Sequence, residues 1–370
     1  MSKYDYLIVG AGFAGLTCAR KLADAGNRVL VIDKRDHIGG NAYDKLDEHG
    51  ILIHPYGPHI FHTNSKKIFE FLSQFTDWRF YEHRVLAKVA SEYYPIPINR
   101  QTINKVFRLN LTESEAETFL NAQKIKKSPI KNSEDLVLSS VGNKLCDMFF
   151  RGYTKKQWDL DLSELSAGVA ARIPARVNDD DRYFTDQYQF MPSHGYTAMF
   201  EKMLKSEYIE LRLGVDFLAD KANFSYEKLI FTGPIDSYYD HKFGKLPYRS
   251  LRFEHEHFDN RNLYQPVGTI NFPNEQLFTR ITEFKHLTGQ KKNGTSIVRE
   301  YSQAEGDPYY PIPNSQNEFI LKKYQLLADN EKNVYFVGRL AQYRYYNMDQ
   351  VVASALSLCD KIQHEASHST

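Results

Sequence analysis

The sequence predicts an α/β protein: a discontinuous Rossmann-like domain interrupted by a helical insert and an antiparallel β-sheet insert. Three observations predict it. A glycine pattern near the N-terminus sits between an apolar strand and a helix. Two later apolar strands end in the same strand-then-glycine form. Between them, one stretch reads as capped helices and another as alternating strands.

The first unit runs from Tyr4 to Asp33. Tyr4–Val9 is a short buried strand that ends in Gly10-Ala-Gly12-Phe-Ala-Gly15, and the helical stretch LTCARKLADAG comes next. A second strand then ends in Asp33. In a dinucleotide fold Gly10 makes the tight turn, Gly12 lets a pyrophosphate approach the backbone, and Gly15 permits close helix–strand packing. The helix N-terminus, with Phe13 and Ala14, turns amides and positive dipole toward the phosphates. Asp33 is the acid placed to accept hydrogen bonds from a ribose. The apolar run behind Lys3 looks superficially like a secretory leader, but its ordered glycines and the strand after them set that reading aside.

The segment after the second strand favours FAD over NAD. Lys34-Arg-Asp-His-Ile-Gly39-Gly40-Asn41 resembles the double-glycine segment of the glutathione-reductase-like flavoproteins, in which the C-terminus returns to the first sheet. Such a return is visible at Asn333–Arg339, a strand ending in Gly338-Arg339, with Met348, Asp349 and Gln350 opening a last helix toward the flavin edge. Leu229–Gly233 supplies a third piece. The expected division is a nucleotide domain over 1–90, 205–245 and 326–370, a helical domain with a mobile lid over 100–200, and an antiparallel sheet over 246–325.

In the helical part, Thr112-Glu-Ser-Glu115 is a capping box and Asn132 or Ser133 caps the next helix. In the sheet part, the stretches at Leu251, Thr279–Thr282 and Ile297–Glu300 alternate. The pentapeptide YYPIP occurs at 93–97 and again at 309–313 without flanking similarity; it is either coincidence or two rigid segments lining one cavity.

Composition narrows the function. A net charge of +1 and a pI of about 7.7 exclude the basic footprint of a nucleic-acid binder. No apolar run approaches the ~20 residues of a membrane-spanning helix. Cys18, Cys146 and Cys359 form neither a disulfide framework nor a CxxC site and suit a reducing cytoplasm. Tyrosine is unusually common, 25 residues against 24 phenylalanines, which suits surfaces that stack on and hydrogen-bond a ligand. No metal is expected: His54, His59 and His62 lack accompanying ligands at metal spacing, and His255-Glu-His257 lacks the HExxH separation.

Through YGPHIFHT, GYTKKQW (152–158), ARIPAR (171–176), YRSLRFE, TRITE around Arg280, and YRYYNMD, the chain resembles the prokaryotic UDP-galactopyranose mutase family from residue 4 to about 355. The resemblance implies an isomerase that interconverts UDP-galactopyranose and UDP-galactofuranose without net redox. In that family reduced FAD attacks the anomeric carbon and displaces UDP. It further implies Arg172 and Arg280 on the diphosphate, with hydroxyls from Tyr183, Tyr310 and Tyr345, since guanidinium forks match a leaving pyrophosphate. Phe150 and Tyr153 match the uracil-stacking pair, Trp158 lies on the lid segment that carries Arg172, and His59 and His62 match the loop beside the flavin. Asn347 departs from the Asp found in some members. A homodimer in the cytoplasm and a role in cell-surface glycans are implied by the same resemblance, and the residues leave open a hydroxyl or an N-acetyl at the sugar 2-position. Two rivals share the FAD motifs: a redox flavoenzyme of the amine-oxidase or desaturase type, and a non-enzymatic binder like the GDP-dissociation inhibitors.

Overall fold

The computed structural model describes residues 3–171 and 174–367. Its first sheet is all parallel, with strands in the order Ile209–Leu213, Val29–Asp33, Tyr4–Val9, Tyr226–Phe231, Val334–Phe336. Its three inner strands carry the apolar runs Leu7–Val9, Val29–Ile32 and Leu229–Phe231, because both faces of the sheet pack into apolar cores. The helix Phe13–Asp24 packs along the C-terminal helix Met348–Ser367, and Cys18 and Cys359 meet in that seam, fully buried. All three cysteines are free and buried.

The second sheet has seven strands in the order Tyr310–Pro311, Tyr248–Phe258, Thr295–Gln303, Arg280–Glu283, Thr269–Asn271, Val85–Val89, Glu92–Ile96. Three of these contain the alternating stretches read from the sequence. Two lie outside the expected 246–325: Val85–Val89 falls within the 1–90 expected for the nucleotide domain, and Glu92–Ile96 in the unassigned stretch that follows it. They join this sheet instead, and Val85–Val89 runs parallel to Thr269–Asn271, the one parallel pair in an otherwise antiparallel sheet. The physical reason is burial. Val85, Ala87 and Ile96 put one face into the same core as the helical insert, together with Ile103, Val137 and Leu145.

Further boundaries move for the same kind of reason. Tyr188–Pro192 pairs with Phe61–Thr63 and Trp78–Phe80, and the helix Gly195–Met203 packs on Phe13–Asp24, so the chain rejoins the nucleotide domain before residue 200. The boundary expected near 325 falls inside the helix Ser315–Asn330.

The helical insert comprises Arg100–Phe107, Glu113–Gln123, Ser133–Cys146 and Gly152–Trp158. Thr112 and Glu115 form the capping box, and it is Asn132, not Ser133, whose side chain accepts the Asp135 amide. A π-helical turn, Asp147–Arg151, joins the last two helices and carries Phe149 and Phe150. Such a turn adds a residue to the helical repeat and rotates the helix beyond it. Among the described residues no helix is long and apolar enough to cross a membrane.

Candidate active site

The glycine turn is shaped by the chain itself. Gly10 has φ +108, and a Cβ on Gly15 would stand 1.8 Å from the Gly10 carbonyl oxygen, so only glycine lets the helix start this close to the strand. Gly39 and Gly40 fold back on this turn: the Gly39 amide donates to the Ala11 carbonyl at 2.8 Å, and a Cβ on Gly40 would lie 3.2 Å from the Gly12 Cα. Asp33, read as a ribose acceptor, already accepts the Ala11 amide at 2.7 Å and the Arg35 amide at 2.9 Å. It therefore first fixes the turn, and each oxygen keeps a second lone pair for a ligand. Arg35 bonds the Asn41 side chain at 3.0 Å and lies over the Tyr56 ring. Lys34 is exposed, 3.9 Å from Asp307. Phe13 and Ala14 are buried under the turn, Phe13 edge-on to Tyr196 and Phe200.

The C-terminal return comes to the same place. Gly338, at φ +100, passes close to Ala14. Arg339 donates to the Tyr309 carbonyl at 3.3 Å and to the Tyr346 carbonyl, with its guanidinium beside the Tyr310 and Tyr345 rings. Met348 opens the last helix. Asp349 accepts from Thr63 at 3.0 Å, and the Gln350 side chain accepts the Asn347 amide at 2.8 Å.

One cavity of about 290 Å³ lies among the three parts of the molecule. His59, His62, Arg339, Asn347 and Met348 line it on the nucleotide-domain side; Arg280, Glu300, Tyr183, Tyr310 and Tyr345 line its middle. Phe150, Tyr153 and Trp158 line it from the helical insert, with Val85, Ala87 and Ile96. Both YYPIP copies reach it, through Ile96 and through Tyr309 and Tyr310, from the two edge strands of the second sheet. Asn41 also lines the cavity, which links the double-glycine segment to it.

Arg280 is the electrostatic centre. Its Nε and Nη2 reach Glu300 Oε2 at 2.9 and 2.8 Å, and Nη2 lies 3.4 Å from the Tyr310 hydroxyl. Burial is the largest single influence and works against its charge, but the Glu300 carboxylate together with the neighbouring Tyr153 and Tyr310 holds the guanidinium pKa well above its usual value. Glu300, 1% exposed, was not foreseen, and among the described residues its Oε1 has no hydrogen-bond partner. A charged residue within an alternating strand reads as a solvated face; the signal that could have found it is register, since Arg280 and Glu300 are directly opposed on neighbouring strands. Arg172, the other expected diphosphate ligand, lies outside the described residues.

The histidines of HPYGPHIFHT separate. His54 is buried and accepts the His59 amide at 3.1 Å, while His59 Nδ1 sits 2.9 Å from the Gly57 carbonyl. Burial lowers the pKa to about 4 at His54 and about 3 at His59, so both rings are neutral near pH 7. The Tyr196 hydroxyl donates to the His59 carbonyl at 3.2 Å. His62 instead stacks on Phe184 at 3.6 Å and pairs with Asp186 at 3.0 Å. Away from the cavity, His49, His257 and Asp259 approach one another, but the two rings lie parallel, 3.7 Å apart, so one ion cannot lie in both ring planes.

The aromatic residues form two groups. Trp158 is 5% exposed, edge-on to Tyr345 at 5.8 Å and tilted against Tyr310 at 6.1 Å. Tyr153 is turned to the Arg280 region, where burial raises its pKa far above the usual value and keeps the hydroxyl protonated. Phe150 separates this cavity from a smaller apolar one. Tyr183 is set by its backbone N–H, which donates to the His83 carbonyl at 2.7 Å. Between Trp158 and Arg172, the segment expected as a lid, the described residues contain the turn Leu162–Glu164 and the short helix Ala167–Ala170, and Val169 and Ala170 reach the cavity wall.

Comparison with known proteins gives a consistent result. A sequence profile of the UDP-galactopyranose mutase family matches residues 148–345, and one for an NAD(P)-binding Rossmann-like domain matches residues 8–75. A probable UDP-galactopyranose mutase of Klebsiella pneumoniae is 39% identical, the match covering 98% of this chain and 95% of that protein. A dTDP-fucopyranose mutase of Escherichia coli is 36% identical over 95% of this chain and 96% of that protein. The crystal structure of a reduced UDP-galactopyranose mutase shares the fold, with a TM-score of 0.78 at 18% identity over 98% of this chain and 96% of that one.

Proposed function

Because this chain belongs to the UDP-galactopyranose mutase family, we propose that it interconverts UDP-galactopyranose and UDP-galactofuranose on reduced FAD, supplying galactofuranose for cell-surface glycans. The observation that carries the reading is the pair of half-buried Arg280 with buried Glu300, set among three tyrosines in a cavity bounded on one side by the nucleotide domain.

The residues present fit FAD. Side chains at Gly10 and Gly15 would clash and one at Gly40 would be tight, whereas a Cβ on Gly12 would meet nothing nearer than 3.7 Å, so the turn leaves an open side at Gly12 where the N-terminus of the Phe13 helix would receive a pyrophosphate. When bound, the reduced flavin supplies the nucleophile for the anomeric carbon and no net redox change.

This chain's own residues then hold and release UDP. Arg280, with Nη1 outside its pair with Glu300, takes the charge that develops on the diphosphate, and Arg172 is proposed as its partner. Tyr183, Tyr310 and Tyr345 supply hydroxyl donors. Phe150 and Tyr153 receive the uracil, and Trp158 closes the tyrosine side. His59 and His62 shape the wall nearest the flavin, with the His59 ring held neutral. Asn347 offers an uncharged amide where a carboxylate would repel the phosphates. By the same membership the enzyme is proposed to be a cytoplasmic homodimer, and its three buried free thiols suit a reducing compartment.

The test is incubation of the purified, dithionite-reduced enzyme with UDP-galactose, UDP-N-acetylgalactosamine and dTDP-fucose, with product analysis for the furanose. Conversion of UDP-galactose only after reduction supports the reading. Preferential conversion of dTDP-fucose moves the substrate to that of the second relative. Equal turnover by fully oxidised enzyme, or reduction of the flavin by an amine substrate, overturns the mechanism.

A further inference from the structure

The motif YRSLRFE contains a buried cation that the substrate site does not use. Arg249 lies on the strand Tyr248–Phe258, is 6% exposed, and is absent from the cavity wall. Its Nε donates to the Gln157 carbonyl at 3.2 Å and lies 3.3 Å from Ser302 Oγ, which itself donates to the same carbonyl at 2.6 Å. Gln157 is the next-to-last residue of the helix Gly152–Trp158, where carbonyls have no partner within the helix. The nearest carboxylate is Asp159, 3.9 Å from Nη1 and itself 71% exposed, at the left-handed residue that ends the helix. A guanidinium buried with so little counter-charge is costly, and an apolar residue of similar volume would be the more stable choice. What the fork supplies is direction: two donors, Arg249 and Ser302, converge on one carbonyl, and the residue after that carbonyl is Trp158, whose ring forms the cavity wall against Tyr310 and Tyr345.

We propose that Arg249 is a positioning residue that acts through the Gln157 carbonyl to set Trp158 against Tyr310 and Tyr345, and so fixes the wall that meets the nucleotide diphosphate. The last clause rests on the proposed substrate; the placement of Trp158 does not.

The test separates the two. In a Trp78→Phe background Trp158 is the only tryptophan, and its emission reports its surroundings without substrate. Arg249→Met and the milder Arg249→Lys should each purify with a full complement of flavin, shift Trp158 emission to longer wavelength and expose it to iodide quenching. KM for UDP-galactose and the dissociation constant for UDP should rise roughly tenfold in Arg249→Met, with Arg249→Lys intermediate and kcat changed much less. Ser302→Ala should shift emission in the same direction by less, and combined with Arg249→Lys should add less than the sum of the two, because both act on one carbonyl. If Arg249→Met does not fold, Arg249→Lys carries the test alone. Unchanged Trp158 emission in the flavin-loaded Arg249→Lys enzyme overturns the placement. Shifted emission with unchanged UDP affinity overturns the step from placement to substrate, and would leave the assay of UDP-galactose conversion by reduced enzyme as a separate question.

Discussion

In the glycine turn at residues 10–15 the chain shapes itself through close approaches that glycine permits, with the Asp33 carboxylate holding the Ala11 amide, whereas around Arg280 it gathers side chains from distant segments. The turn needs no buried charge of opposite sign: Gly10, Gly15 and Gly40 do their work by lacking a Cβ. The cavity gathers ionisable groups largely withdrawn from water, namely buried Glu300 and His83 with half-buried Arg280, His59 and the tyrosines, and His54 is buried behind His59. One region therefore depends on sterics and the other on protonation. Pressing on each by its own means should break them separately.

The largest effect should come from acid. Burial lowers the His54 pKa to about 4 and the His59 and His83 pKa values to about 3, against an unfolded value near 6.5. The unfolded chain thus binds more protons between about pH 6.5 and pH 3, so stability rises with pH through that window and is lost as pH falls below 6.5. Each histidine should cost about 2 kcal/mol on going from pH 6.5 to pH 5, and the three together about 6 kcal/mol as a ceiling. Urea midpoints measured from pH 7.5 to pH 5 check this. A flat profile would mean that these rings are protonated and paired in the folded protein, and the contrast between the two regions would be lost.

Next in size is Arg280→Ala. It should remove about 3–4 kcal/mol of transition-state stabilisation, read as kcat/KM, the scale of a lost donor at a developing oxyanion. It also leaves Glu300 buried with both oxygens unpaired, so thermal stability should fall too. Arg280→Met combined with Glu300→Gln should restore much of that stability and none of the activity. If activity returns along with stability, Arg280 is a structural cation and the diphosphate site is elsewhere.

Gly15→Ala presses on the other region. Its methyl group would meet the Gly10 carbonyl oxygen at 1.8 Å, so the helix must move away from the strand, at about 1–3 kcal/mol for an overpacked site. The expected result is protein that purifies with little flavin while the second sheet and the helical insert stay folded by circular dichroism. Full flavin occupancy would show that the turn tolerates what the geometry forbids.

The same contrast decides what could be read from the sequence. The turn, its helix and Asp33 were legible because their signals lie within one βα unit, and the Thr112–Glu115 box because a cap is read over four residues. The strands holding Arg280 and Glu300 were legible as strands from alternation. Their pairing was not, because a helix, Phe284–Thr288, and a turn stand between them and set the register. Val85–Val89 was placed with the nucleotide domain and not with the second sheet for a related reason: its partner, Thr269–Asn271, is far along the chain, and alternation says that a face is buried without saying against what. Residues on the cavity wall came mostly from resemblance. Glu300 and His83, which no motif marks, came only from the fold.

The smallest effect should separate hydroxyl from ring at Tyr310. The ring stands edge-on to Tyr345 at 5.2 Å and 84°, and tilted against Trp158, so Tyr310→Phe keeps the shape of the wall. Burial pushes the hydroxyl pKa far above its usual value, so it stays a neutral donor across the working pH range. In the free enzyme its contact with Arg280 is long, 3.4 Å, and contributes little to stability. Its value should appear only when a phosphate oxygen accepts from it, at about 1 kcal/mol, the net size of one neutral hydrogen bond. UDP should therefore bind roughly fivefold more weakly to Tyr310→Phe. Uridine, which presents the same base and ribose without phosphates, should bind unchanged. Calorimetric titration of both ligands decides it: an equal loss for UDP and uridine would place Tyr310 against the nucleoside, and would turn the assignment of the cavity's two ends around.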